Sequence, residues 1–386
     1  MTNKPQFVGE RTTVKLSQIA KIKADNVAPK KDAFTEDGIP FVRAGSLTNL
    51  LAGGSLADLE KIDGGTAQKL RLTLFPAGTV VFAKSGMSCM TGNVYVLPKP
   101  CYVVSHLACV IPNGNYASYL KHYFRFNRPN RLIENPSFPS IKLSKIQGIK
   151  LKLPSPEKGV RQVQALERIE SQIGQAKALL TYLDSLVKSR FVEMFGDPDS
   201  NPHGLEVCPL GKVLSVQPSN GMYKPQKDYV SDGSGTPIIR IDSFRNEGPD
   251  YSSLKRLNCN ESECRRYGIN ENDIVINRVN SVGCMGKTML VSHIPEATVF
   301  ESNMMRLHSD ETLMIPAFLC AQMTSEFSKS YFEANAKRAI GQASINQKDV
   351  KGLPVLVPTI GNQKAYLSFV ARVDKSRFAH LDNVLA

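Results

Sequence analysis

The sequence predicts an α+β fold in which two similar globular units are each followed by a long helix. Three observations carry that prediction: short apolar runs of strand character bounded by turn residues, two stretches with helical apolar periodicity, and a segment order that occurs twice. The length agrees. A chain of 386 residues accommodates two or three domains, and a hydrophobic content of 42% suffices for packed cores.

The repeat is visible residue by residue. Val14-Lys-Leu-Ser-Gln-Ile-Ala20 is similar to Cys208-Pro-Leu-Gly-Lys-Val-Leu214, and Gly38-Ile-Pro-Phe-Val-Arg-Ala-Gly-Ser-Leu47 to Gly235-Thr-Pro-Ile-Ile-Arg-Ile-Asp-Ser-Phe244. Gly78-Thr-Val-Val-Phe-Ala-Lys84 matches Asn272-Asp-Ile-Val-Ile-Asn-Arg278, each an apolar run that ends in a basic residue. The stretch from Ser140-Ile141 through Gly148 to Pro154 then matches Ser344-Ile345 through Gly352 to Pro358. The offset drifts from 194 (Val14 to Cys208) to 204 (Ser140 to Ser344), as insertions in surface loops would produce.

In chain order, the first unit has strands at 79–84, 94–97 and 102–111, a helix at about 116–127, and a short strand ending at Pro154. The second has strands at 274–278, 288–292 and 298–307, a helix at 317–334, and a last strand ending at Pro358. Between them, residues 157 to about 195 contain no proline, and Leu166, Ile169, Ile173, Ala176, Leu180, Leu183 and Val187 alternate steps of three and four. That rhythm is the seam of a coiled coil. The helix stops at Gly196-Asp197-Pro198. At 1.5 Å per residue it is about 58 Å long. After Pro358, Tyr366, Val370, Val373, Leu381 and Val384 share a second helical face, interrupted by Arg377. The simplest packing sets the two helices antiparallel with a globular unit at each end and pseudo-twofold symmetry. The predicted domains are 1–155 and 198–358 for the globular units, with 156–197 and 359–386 for the helices.

Composition narrows the function classes. The 48 Lys and Arg against 35 Asp and Glu leave a net charge of +13, a field that attracts polyanions. No apolar run approaches the roughly 20 residues of a membrane span, and the opening MTNKPQFVGERTT has no signal-peptide character, so a soluble, cytoplasmic protein is expected. The eight cysteines form no CxxC pair and no His/Cys cluster of zinc spacing, which predicts reduced, mostly buried thiols and no metal.

The order of globular unit, long helix, globular unit and second helix resembles the DNA-specificity subunit of type I restriction–modification systems. Leu183-Asp-Ser-Leu-Val-Lys-Ser-Arg-Phe-Val-Glu-Met-Phe-Gly-Asp-Pro198 looks like the end of that family's central helix. Pro40-Phe-Val-Arg-Ala-Gly-Ser46 and Pro237-Ile-Ile-Arg-Ile-Asp-Ser243 resemble the early part of its target recognition domains. The resemblance implies two target recognition domains, each reading one part of a bipartite site on double-stranded DNA. It implies helices that set the spacing and dock two methyltransferase subunits, translocating restriction subunits in the full complex, no cofactor, and no catalytic residue in this chain. Leu166, Ile169, Ile173, Leu180, Leu183, Val187, Val370 and Val373 would serve helix pairing and docking.

Candidate DNA-binding residues follow from residue type and place. Arg125, Arg128 and Arg131 lie in a basic stretch interleaved with aromatics, Tyr123-Phe-Arg-Phe-Asn-Arg-Pro-Asn-Arg131. Arginine holds phosphate oxygens or reads guanine through its forked donors; the bland alternative is a solvated helix end. In the second unit, Lys337 and Arg338 precede a small, polar stretch in which Gln342 or Asn346 would pair with adenine. A plain loop before the last strand would look the same. Lys84 and Arg278, at equivalent strand ends, suit phosphate contact, whereas the equivalent Arg43 and Arg240 suit either phosphate contact or an internal ion pair.

Two near-miss motifs support an alternative, a stand-alone enzyme binding a nucleotide or S-adenosylmethionine. Ser281-Val-Gly-Cys-Met-Gly-Lys-Thr288 imitates a phosphate-binding loop but has Ser281 for the first glycine. Asn135-Pro-Ser-Phe138 imitates an adenine methyltransferase motif but lacks its second proline, and a loop before Ile141 explains it. The six histidines are scattered singly, as structural residues are. A scaffold that assembles partners without reading DNA is the third reading.

Overall fold

The computed structural model describes residues 11–245, 248–249, 251–280, 285–339 and 342–385, with residues 11, 115, 244–245, 248, 252, 339 and 378–385 described in backbone only. It divides into two compact units, residues 1–173 and 174–386, at a boundary that falls inside the helix Pro156–Phe195.

The first unit holds two four-stranded sheets. One runs Ala20–Lys23, Leu107–Pro112, Val80–Ala83, Val94–Val96, all antiparallel. The other runs Lys61–Ile62, Ile39–Val42, Cys101–Val103, Leu74–Phe75, with Ile39–Val42 parallel to Cys101–Val103. All four residues of Val80–Ala83 are buried, which is why this strand reads as an unbroken apolar run. The helix Ala117–Phe126 covers it, with the Phe124 ring 5.0 Å from that of Phe82. Strand Arg11–Lys15 pairs antiparallel with Lys150–Pro154.

The second unit repeats this frame. Its sheets run Leu214–Asn220, Met304–Ser309, Ile274–Asn277, Thr288–Leu290 and Tyr229–Val230, Lys255–Leu257, Thr236–Ile239, Val299–Phe300. Thr236–Ile239 and Val299–Phe300 are parallel, as their counterparts are. Val207–Pro209 pairs with Pro354–Leu356. Single hydrogen bonds recur too: Leu16 N–H to Ile149 O is matched by Leu210 N–H to Leu353 O, both 2.8 Å, and Val104 N–H to Val42 O by Glu301 N–H to Ile239 O, both 3.0 Å. The repeat in the sequence is therefore a repeat of backbone geometry.

Two predicted strands and one predicted helix are corrected. The strand expected over 102–111 is two, Cys101–Val103 and Leu107–Pro112, which lie in different sheets. A turn with Leu107 N–H bonded to Val104 O carries the chain from one sheet to the other. The strand expected over 298–307 is likewise Val299–Phe300 and Met304–Ser309. Continuous apolar character concealed a change of sheet. The helix expected over 317–334 is Pro316–Met323 and Glu326–Asn335, because the Ser325 side chain accepts the Ser328 N–H and starts a new helix.

The predicted long helices are present as Pro156–Phe195 and Ile360–Leu385. Gly196 ends the first with φ +71°, and a Cβ there would collide with Pro202. Within the second unit, residues 174–195 pack antiparallel on the last helix: Asp184 meets Arg377 at 2.5 Å, the Arg190 guanidinium lies 5.8 Å from the Phe369 ring, and Phe191 meets Tyr366 at 5.4 Å. Arg377, which interrupts the apolar stripe, thus pairs with the facing helix. Phe191, Phe195, Phe318 and Tyr366 form one aromatic cluster, with ring centres 5.0 to 5.9 Å apart.

The heptad stripe is covered unevenly. Ala176, Leu183 and Val373 are buried, and Leu180, Val187 and Val370 are half-buried. Leu166, Ile169 and Ile173 are exposed, Ile169 by 51%. The Leu381 and Val384 side chains lie outside the described residues. Seven described cysteines carry free thiols, four of them buried. Burial pushes the Cys101 thiol up to about 11 and the Cys320 thiol up to about 12, so both stay protonated. No helix among the described residues is long and apolar enough to cross a membrane.

Candidate nucleic-acid interface

In each unit the basic residue at the end of the central strand anchors a loop to the last part of the unit. The Lys84 N–H donates to His106 O at 2.9 Å and its carbonyl accepts the Ile141 N–H at 2.7 Å. The Arg278 N–H donates to Asn303 O and its carbonyl accepts the Ile345 N–H, both at 2.9 Å. Ser85 then bridges Ser140, and Val279 pairs with Ser344. Two loop regions meet at this edge in both copies, and the candidate residues other than Arg125 lie on the segments that form it.

In the first unit, Gly86, at φ +76°, donates its N–H to Pro139 O at 3.0 Å and leads into the short 3-10 helix Met87–Thr91. Asn130 holds that helix by donating Nδ2 to Met90 O at 3.0 Å, and the Arg128 Cβ would lie 3.1 Å from a Cβ built on Gly92. Arg128 and Arg131 beside it are exposed, and Lys84 is half-buried. Arg125 lies elsewhere. Its guanidinium meets Glu170 of the long helix at 2.5 Å, where Lys121 also bonds the same carboxylate and His122 approaches at 3.5 Å. Burial alone would raise the Glu170 carboxyl, but the Lys121 hydrogen bond and the charges of Arg125 and Lys121 hold it below the usual range.

In the second unit the same edge is a three-stranded sheet, Val279–Asn280, Gln342–Ser344, Lys337–Ala339. Lys337, Arg338 and Gln342 are exposed. Arg278 folds back, donating to Ser302 O at 3.2 Å. Asn346 caps the helix Gln347–Lys351, its side-chain oxygen accepting the Lys348 and Asp349 N–H groups at 2.8 and 3.1 Å. Ser281 to Cys284, with Ile340 and Gly341, lie outside the described residues. At the described end of the phosphate-loop look-alike, a Cβ on Gly286 would press into the Phe332 ring, so that glycine serves packing.

Arg43 and Arg240 make internal pairs. Arg43 bonds Glu60 at 2.6 Å and lies over Phe34; Arg240 lies 3.6 Å from the nearly buried Glu301 and over Tyr229. Sequence reasoning missed three features. The Glu170 cluster was hidden because its partners stand 45 to 49 residues away. Gln322 and Gln363, both buried, resemble surface residues by type. The exposure of Met87 and Phe138, 75% and 78%, has no signal in residue order.

One frame present twice, each copy gathering exposed basic and polar residues from two loop regions at the same edge, defines a protein built of two related units with matching basic edges. Comparison with known proteins gives the same class. The profile described as "Type I restriction modification DNA specificity domain" matches residues 9–181 and again 202–383. The chain belongs to this family, and it recognises DNA sequence for a type I restriction–modification enzyme. The putative type I restriction enzyme MjaX specificity subunit of Methanocaldococcus jannaschii is 26% identical over 45% of this chain, a match spanning 40% of that protein's length. The type I restriction enzyme StySPI specificity subunit of Salmonella potsdam is 22% identical over 90% of this chain and 77% of its own. In fold, the chain matches the crystal structure of a type I restriction-modification system S subunit from M. genitalium with a TM-score of 0.55 and 10% identity, over 99% of this chain and 94% of that one. The alternative of a stand-alone enzyme finds no support among these relatives.

Proposed function

We propose that each globular unit reads one half of a bipartite site on double-stranded DNA, and that the two long helices dock two methyltransferase subunits, with translocating restriction subunits joining the full complex. The reading units are residues 1–155 and 198–358, and the helical segments are 156–197 and 359–386. Lys84, Arg128 and Arg131 face DNA in the first unit, and Lys337, Arg338 and Gln342 in the second. Arg125, Arg278 and Asn346 act from behind, fixing the elements that carry these residues. Leu180, Leu183, Val187, Val370 and Val373 pair helix on helix, whereas Leu166, Ile169 and Ile173 are left for a partner.

The observation that carries the reading is the recurrence of one edge: the same backbone bonds in both units hold loops whose exposed side chains differ. A shared frame with divergent tips suits two readers of one ligand whose local sequence differs. The test is reconstitution of the chain with its methyltransferase subunits and mapping of adenine methylation by long-read sequencing. A split motif is expected, and replacing residues 14–155 by another protein's unit should change one half and preserve the other. A continuous motif, or a change in both halves, would refute the assignment.

A further inference from the structure

The edge of the first unit carries two apolar side chains on hydrogen-bonded backbone. Met87 follows Gly86, whose N–H bonds Pro139 O at 3.0 Å, and Phe138 precedes that same Pro139. The turn below Phe138 is locked: the Asn135 side chain accepts the Ser137 N–H at 3.0 Å, and the Asn135 carbonyl accepts the Phe138 N–H at 3.2 Å. Pro139 and Ile141 beyond it are buried. Yet Phe138 is 78% exposed and Met87 75%. One exposed apolar side chain is ordinary, but two large ones held outward side by side on hydrogen-bonded backbone gain nothing for folding and suit a contact surface.

Charge identifies the occupant. Arg128, Arg131 and Lys142 are exposed around this tip, and the nearby carboxylate of Glu134 is already paired with Lys145 at 2.5 Å. A protein partner covering Phe138 would have to bury those cations. A nucleic acid satisfies them with phosphates while offering the stacked faces of bases to the ring. Apolar side chains flanked by basic ones are the means by which proteins part a base step and kink a duplex.

We propose that Phe138, with Met87 beside it, is a wedge that enters between neighbouring base pairs of the half-site read by the first unit. The inference rests on the DNA-reading assignment above and adds a residue that governs recognition through deformability of the step it parts. Unit two has no equivalent aromatic in the aligned strand, where Ala343 and Ser344 pair within the sheet.

The test uses the full chain assembled with methyltransferase subunits. The probe is a duplex carrying the motif obtained by methylation mapping, with single 2-aminopurine substitutions placed in turn through both halves. The methylated adenine is left out, since methyltransferases themselves extrude it. Fluorescence should rise severalfold at one position, in one half only, when the complex binds. Phe138→Ala should abolish that rise and weaken binding roughly tenfold, while Phe138→Leu keeps most of both. Absence of any responding position in the unsubstituted complex would overturn the wedge, as would a rise that survives Phe138→Ala. Loss of affinity with the rise intact would mark Phe138 as a groove contact and overturn it equally. If no split motif is found at all, the failure belongs to the DNA-reading assignment instead.

Discussion

Gln363 shows how much one polar side chain can hold. It is fully buried at the start of the last helix, where its oxygen accepts the Ile315 N–H at 2.8 Å and its nitrogen donates to Leu313 O at 2.9 Å and Pro358 O at 2.8 Å. Every hydrogen-bonding group of this amide within the fold is used, and three backbone groups depend on it. Gln363→Leu keeps the approximate size but strands those groups, and should lower unfolding free energy by about 2–4 kcal/mol in denaturant titration. Lys364→Ala, at the exposed neighbouring position, should change it by less than about 0.5 kcal/mol. Gln322 bonds Leu356 through both its nitrogen and its oxygen at 2.9 Å in the same manner. Neither glutamine was legible in the sequence, because the residue type is a surface type and all but one of the backbone partners, Pro358 O, are 34 to 50 positions distant. Arg43 was legible in part. Its recurrence at Arg240 pointed to a shared role, and both make internal pairs, but the acidic partners stand at unrelated positions in the two copies, Glu60 and Glu301.

At the scale of elements, periodicity located the long helices because their rhythm is a local property of the sequence. It did not reveal where the stripe is covered, since that depends on what the rest of the fold brings alongside. Leu183 is buried in the antiparallel pairing, while Ile169, on the same stripe, is half open to solvent. Leu183→Asp should therefore cost several kcal/mol and broaden or shift elution on size exclusion of the isolated chain. Ile169→Asp should leave the isolated chain intact and act only on assembly with partners. The helix is fastened to the first unit through Glu170, whose carboxyl is held below its ordinary range of about 4.3. A carboxyl with a depressed folded-state pKa stabilises at pH above its unfolded value, and that stabilisation is lost as pH falls through the folded value. The difference in thermal stability between the unsubstituted chain and Glu170→Gln should be present above the ordinary carboxyl value, modulated by the titration of neighbouring His122, and shrink as the pH drops well below 4. A difference that keeps its full size into strongly acid solution would show that the contact is not ionic. Strand boundaries were the poorest guide. Residues 102–111 and 298–307 read as single strands because both sides of the sheet change are apolar, and only hydrogen bonding to two different sheets separates them.

For the whole molecule, the repeat in the sequence carried most of the fold. Four similar segments in the same order correspond to one sheet of matching strand order, a second that matches in three of its four strands, the same parallel pair, and the same bonds at the strand ends. What the repeat could not carry is the difference between the copies. A single bridge at Ser85 and Ser140 in one unit becomes a three-stranded sheet in the other, fed by a longer spacing before Ser344. The edge proposed to meet DNA thus differs between the copies, and residue types there speak to charge but not to which side chains turn outward.

The pairing of the first strand of each unit with its last has a consequence in time. As the chain leaves the ribosome, Arg11–Lys15 has no partner until Lys150–Pro154 emerges, and Val207–Pro209 waits likewise for Pro354–Leu356. Contacts so distant in sequence form late, which makes each unit a latch that shuts only when its own synthesis is complete. The helix between them then lives through two stages. Glu170 can be fastened as soon as the first unit has shut, but Phe191 and Phe195 stay bare until Phe318 and Tyr366 have been made. A nascent chain paused in the second unit therefore carries a finished reader and an unfinished, greasy stalk, and it is at this stage that chaperones or early partner subunits would find it.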